Sequence, residues 1–236
     1  MADVVIGPSV LIGPVGGLLQ QLRGACIEDW RAYTRHPFVL QLAAGTLPEE
    51  SFRHYLIQDY LFLIQFARAY ALAAYKADDV ADIRQAAKSL SAIVDGETSL
   101  HVRFCARWGI PEEEILRAPE ATATMAYTRY VLERGMAGDL LDLLVALAPC
   151  IVGYAEIARE RMADPATMIE GNPYREWLEM YAGTDYGAVA EGAATALDRH
   201  FARRGGAGRR PGLEETFRAA TRLEGQFWQM GLTRAM

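Results

Sequence analysis

Cys150 and Tyr154 stand four residues apart in Leu147-Ala148-Pro149-Cys150-Ile151-Val152-Gly153-Tyr154-Ala155-Glu156, a stretch that is otherwise mostly small and apolar. On a helix the two share one face, one turn apart. A thiol beside a phenol in a dry wall is a nucleophile with a hydrogen-bonding neighbour. The same pair also reads as packing, because free cysteine is among the most buried residue types. Asp59 interrupts the apolar run from Tyr55 to Leu63. A carboxylate there must be paired, hydrogen-bonded or functional. Glu224 precedes Phe227 by three residues and Trp228 by four, so acid and aromatics share a helical face. Tyr127 lies in Ala126-Tyr127-Thr128-Arg129-Tyr130. Each has a structural alternative. Asp59 pairs with an arginine, Glu224 meets Arg218 or Arg222 at the surface, and Tyr127 is a core phenol with a satisfied hydroxyl.

A metal site is the rival chemistry. Glu97-x-x-x-His101 has one-turn spacing, and His36, His54 and His200 are the other imidazoles. Four scattered histidines lack the ligand grouping a metal demands, so an exposed Glu–His pair is the preferred reading and no metal ligand is expected.

The elements that must position these residues are helices. Leu19, Leu22, Cys26, Trp30 and Tyr33 form the stripe of an amphipathic helix from Leu18 to Thr34, which ends before Pro37. Ser51 to Lys76 has no Gly or Pro and is apolar nearly all round, the pattern of a buried central helix. Asp78 or Asp79 caps a helix that runs to about Trp108 and stops at Gly109-Ile110-Pro111. Further helices are expected over 122–134, 139–162, 186–203 and 213–230, with a short one from Asn172-Pro173 to Tyr181. Pro149 should kink its helix just before Cys150. Gly205 to Gly212 reads as a flexible basic loop, and it lacks the preceding strand and pattern of a phosphate cradle. The chain is therefore all-α, a bundle of eight or more helices.

Composition bounds the rest. The 236 residues are 51% hydrophobic and 23% charged, enough for one large core. The formal net charge of -6 speaks against a nucleic-acid partner, and no basic recognition helix is evident. Cys26, Cys105 and Cys150 are odd in number and contain no CxxC, which points to a reducing, cytoplasmic setting. Residues 1–17 are apolar, broken by glycines, Pro8 and Pro14, and carry no Lys or Arg before Arg23. They match neither a signal peptide nor a membrane span and read as an extended arm ahead of a single helical domain, 18–236.

His36-Pro37-Phe38, Gln58-Asp59-Tyr60-Leu61-Phe62, Ala126-Tyr127-Thr128-x-Tyr130, Pro149-Cys150-x-x-x-Tyr154 and Glu224-x-x-Phe227-Trp228 together resemble the TenA / thiaminase II family, in order and in approximate separation, from about Leu18 to Ala235. The resemblance implies a haem-oxygenase-like all-α fold, a homotetramer, no cofactor, and hydrolysis of thiamin-derived aminopyrimidines. The usual salvage substrate would be 4-amino-5-aminomethyl-2-methylpyrimidine. It matches Cys150 to the nucleophile of the cysteine-bearing branch, Asp59 to the carboxylate on the ring nitrogen and 4-amino group, and Glu224 to the acid/base near the leaving amine. Tyr127 and Tyr154 match pocket tyrosines, Tyr181 one that contacts the thiol, and Phe227 an aromatic wall. Some members carry tyrosine where this chain has Phe62, which preserves stacking and loses a hydroxyl. Within the same fold, a metal-dependent oxidase is the alternative enzyme. A non-catalytic pyrimidine-binding regulator is the other rival.

Overall fold

The computed structural model describes residues 11–236, so the first ten residues of the expected arm lie outside the described region. Among the described residues the regular structure is helical, with no strand. The helices are α1 (Leu18–Ala25), α2 (Ile27–Thr34), α3 (Pro37–Ala43), α4 (Glu49–Lys76), α5 (Val80–Ser91), α6 (Thr98–Arg107), α7 (Glu112–Arg117), α8 (Thr122–Ala137), α9 (Leu140–Ala163), α10 (Arg175–Ala182), α11 (Thr184–Arg204) and α12 (Arg210–Thr233). A π-helical turn, Ala92–Glu97, separates α5 from α6.

The chain forms two compact units. One combines the segment ending at Leu47 with Leu147–Gly225, and the other combines Pro48–Ala146 with Gln226–Met236. Both α9 and α12 contribute residues to each unit.

In the first unit, Trp30 stacks on Phe217 with centroids 5.5 Å apart. The segment before α1 is held by carboxylates. Glu156 accepts from the Ile12 amide at 2.9 Å and from Arg23, while Arg23 also donates to the Ile12 carbonyl at 3.2 Å. Glu191 accepts from the Gly13 amide at 2.9 Å, and Asp198 from the Leu18 amide at 2.6 Å. The last of these satisfies one of the orphan donors at the start of α1. The expected single helix from Leu18 to Thr34 is broken at Cys26, whose φ of -135° is not helical. Arg218 of α12 donates at 2.9 Å to the Ala25 carbonyl beside the break, a partner that local periodicity does not reveal.

In the second unit, α4 is the central helix. Its buried residues include Tyr55, Leu56, Asp59, Tyr60, Phe62, Leu63, Phe66 and Tyr70, covering most of its circumference as the apolar run predicts. Asp79 caps α5, accepting from the Asp82 amide at 2.9 Å. The expected helix up to Trp108 is interrupted by the π-turn. Side chains there compete for backbone: Thr98 bonds the Val94 carbonyl at 2.5 Å, Ser99 that of Asp95 at 2.9 Å, and His101 that of Glu97 at 2.7 Å. Gly109, at φ +72°, then ends the segment.

Pro149 does not end α9, which continues from Leu140 to Ala163. That helix is long and apolar enough to span a bilayer, yet most of its apolar window is buried within the protein. The glycine-rich loop is shorter than expected, because Arg210, Pro211 and Gly212 already form the first turn of α12, where proline is well tolerated.

Candidate active site

The residues singled out by type and spacing fall into two groups, one in each unit. In the second unit α4 presents Asp59 and Phe62 three residues apart, one helical turn. Phe62 lies 5.0 Å from the Tyr127 ring of α8 and 5.6 Å from the Phe227 ring of α12. Both rings are buried, at 1% and 2% exposure. Tyr55, one turn before Asp59, meets Phe227 at 6.1 Å and Trp228 at 5.3 Å. An acid is therefore held beside a cluster of aromatic faces, the surroundings a flat heteroaromatic with a polar edge requires.

The Asp59 carboxylate is itself buried and hydrogen-bonded. Its Oδ2 accepts from the Tyr55 hydroxyl at 2.9 Å and faces His101 Nε2 at 2.7 Å. His101 is 1% exposed, so the expected exposed Glu–His pair is corrected: the imidazole points inward to an acid on α4. Burial opposes the charge on His101, but the hydrogen bond and charge of Asp59, aided by Glu97, hold its pKa above the ordinary imidazole range. Burial, then the nearby Asp59 charge, pushes the Glu97 carboxyl up to about 7, against the pull of His101. Among the described residues no group of three or more His, Cys, Asp or Glu side chains is arranged to hold a metal ion. The arginine partner proposed for Asp59 is replaced by Tyr55 and His101. Tyr55 sits at the i-4 position, which the sequence shows. His101 lies 42 residues away, and no local pattern connects it.

In the first unit α9 carries Cys150 and Tyr154 one turn apart, both largely buried at 9% and 3% exposure. Tyr33 of α2 donates its hydroxyl to the Pro149 carbonyl at 3.3 Å, directly before the thiol. Gly153 leaves room for that ring, since a Cβ there would run into Tyr33. Tyr154 packs against Tyr181 of α10 at 4.9 Å, and Trp177 lies 4.7 Å from Tyr181. The two tyrosines expected near the thiol are thus neighbours. Glu224 is on α12 at 1% exposure, and Arg218 and Arg222 pair with Asp29 instead. Its surface-pair alternative is thereby removed. The other two thiols, Cys26 and Cys105, are each pushed up to about 11, chiefly by burial, and are poor nucleophiles at neutral pH.

The all-α architecture places the chain in the class of haem-oxygenase-like proteins, the fold of the TenA structural neighbours. The chain belongs to the TENA/THI-4/PQQC family, which matches residues 26–234. Over 92% of its length it is 38% identical to a Haemophilus influenzae protein with no assigned function, covering all of that protein. It is 34% identical to the aminopyrimidine aminohydrolase of Halalkalibacterium halodurans over 88% of this chain and 92% of that enzyme. A solved structure described as a TenA family transcription regulator from Silicibacter is 45% identical, with a TM-score of 0.86, covering 91% of this chain and 96% of that one.

Proposed function

We propose that the protein is an aminopyrimidine aminohydrolase of the thiaminase II type. It converts 4-amino-5-aminomethyl-2-methylpyrimidine and water to the 5-hydroxymethyl compound and ammonia, in thiamin salvage. The observation that carries this reading is the buried, doubly hydrogen-bonded Asp59 carboxylate beside the Phe62, Tyr127 and Phe227 rings. Identity to an aminohydrolase across nearly the whole chain supports it.

An aminomethyl substituent on an aromatic ring resists direct displacement by water, and covalent addition divides the step in two. The Cys150 thiolate adds to the ring carbon next to the substituted one, and the C–N bond to the exocyclic carbon then breaks. Glu224 protonates the departing nitrogen, so ammonia leaves. Water adds at the exocyclic carbon as Glu224 takes its proton, and the sulfur departs to restore aromaticity. Asp59 binds the ring nitrogen and 4-amino group, and the Phe62, Tyr127 and Phe227 faces hold the ring. Tyr154 and Tyr181 serve as hydrogen-bond donors for the sulfur. In this reading the protein acts as a cytoplasmic homotetramer, free of nucleic acid and membrane, with no cofactor.

The test is ammonia release from a panel of aminopyrimidines and thiamin, by wild type and Cys150→Ser. Loss of about a thousandfold or more in turnover, with binding of the aminopyrimidine retained, is the expected outcome. Near-normal turnover by the serine variant would remove the covalent route. Ligand binding without any turnover by wild type would favour the regulatory role named for the Silicibacter relative.

A further inference from the structure

The pairing of Asp59 with His101 has a proton count that follows from its geometry. His101 Nδ1 lies 2.7 Å from the Glu97 backbone carbonyl, which can only accept, so Nδ1 carries a hydrogen. His101 Nε2 lies 2.7 Å from Asp59 Oδ2. Two lone pairs would repel at that distance, so one proton sits between nitrogen and oxygen. Tyr55 donates to the same oxygen at 2.9 Å. Both bonds land on Oδ2, and among the described residues Oδ1 has no protein donor.

We propose that His101 is a positioning residue for Asp59: with Tyr55 it locks Oδ2, leaves Oδ1 for the polar edge of the aminopyrimidine, and as an imidazolium balances the carboxylate charge so that the ring is bound without an added proton. This rests on the aminopyrimidine reading above. With His101 charged, the buried pair is neutral and the incoming ring is bound neutral. Because both imidazole hydrogens are held by acceptors at 2.7 Å, the site has no proton to spare and no net proton is taken from buffer on binding. The charged groups the imidazole meets are Asp59 on α4 and Glu97 on the π-turn. Phe227 and Trp228 of α12 face Tyr55, and Tyr127 of α8 faces Phe62, as aromatic rings. The π-turn itself makes the arrangement: it sets Glu97 and His101 so that the carbonyl of one fixes the ring of the other.

Three measurements test this, on the full chain. First, ¹⁵N-histidine NMR of the unliganded protein, with His101 assigned by its loss in His101→Gln, should show both ring nitrogens protonated at pH 7.5. An unprotonated Nε2 overturns the proposal, whatever the substrate proves to be. Second, His101→Gln keeps an amide donor for Oδ2 but cannot ionise. It should hold KM within about threefold while losing one limb of the kcat/KM pH profile, whereas His101→Leu should raise KM by about tenfold or more. An unchanged profile in the glutamine variant, or an unchanged KM in the leucine variant, overturns the proposal. Third, calorimetric titration with the aminopyrimidine at pH 8 in buffers of different ionisation enthalpy should show near-zero proton uptake for wild type and more for His101→Gln. Equal uptake by the two proteins overturns the proposal. Failure of wild type to turn over any aminopyrimidine would sink the functional reading alone, because the NMR result needs no substrate.

Discussion

Asp59 shows how a residue can be legible by type and hidden by partner. Its place in an apolar run marks it as a paired or working carboxylate, and Tyr55 one turn away is visible in the same run. Tyr55→Phe deletes the hydroxyl while the ring keeps its contacts with Phe227 and Trp228. We expect a loss of about 1.5 kcal/mol in urea unfolding, the scale of one hydrogen bond to a charged group. An unchanged midpoint would mean that His101 alone satisfies Oδ2. The histidine was beyond reach of the sequence because helical spacing reports only neighbours three or four residues away. The Glu97–His101 spacing was visible, but a helical repeat says nothing of which way the face turns. Tyr154 and Tyr181, 27 residues apart in the chain, bring their rings to 4.9 Å, another pairing that helical spacing does not report.

At the scale of the element, the π-turn and the middle of α9 decide most. Glu97 ends the π-turn with its carboxyl pushed up to about 7 by burial and then by Asp59, from an ordinary value of 4.5. A folded value above the unfolded one means that the protonated acid favours folding. That advantage is complete below pH 4.5 and is lost as pH rises through about 7. Glu97→Gln mimics the protonated acid. Its melting temperature should exceed that of wild type at pH 8 and match it near pH 4.5. A constant offset across that range would contradict the assignment. In α9, Gly153 is required by the Tyr33 ring. Gly153→Ala should cost about 1–3 kcal/mol by overpacking, measured by denaturant titration. Gly24→Ala in α1 meets nothing within 4 Å and should stabilise by about 0.5–1 kcal/mol. Helix existence was legible in both regions. The π-turn was not, because one widened turn inside a helical run leaves the apolar repeat on either side unchanged in kind.

At the scale of the whole molecule, each unit is closed by contacts between segments far apart in sequence. Glu156, 133 residues from Arg23, receives both that guanidinium and the Ile12 amide inside the first unit. Burial lowers Arg23 to about 10, against the raising effect of Glu191, which still leaves a buried cation at neutral pH. Glu156→Gln should destabilise by about 3 kcal/mol in thermal or denaturant unfolding, because a buried cation is left uncompensated. Arg23→Met combined with Glu156→Met should recover part of that loss, and a strictly additive cycle would show the pair to be uncoupled.

The amino-acid sequence by itself determined that this protein is helical and that α4 is a core helix. Each follows from periodicity or from residue type in an apolar setting, and both are local properties of the chain. Only the tertiary structure decided that α1 and α2 are separate, that His101 turns inward to Asp59, and that Glu156 anchors Ile12. Those choices depend on which donor meets which acceptor across 42 or more residues, and pairing at that range is a property of packing rather than of spacing.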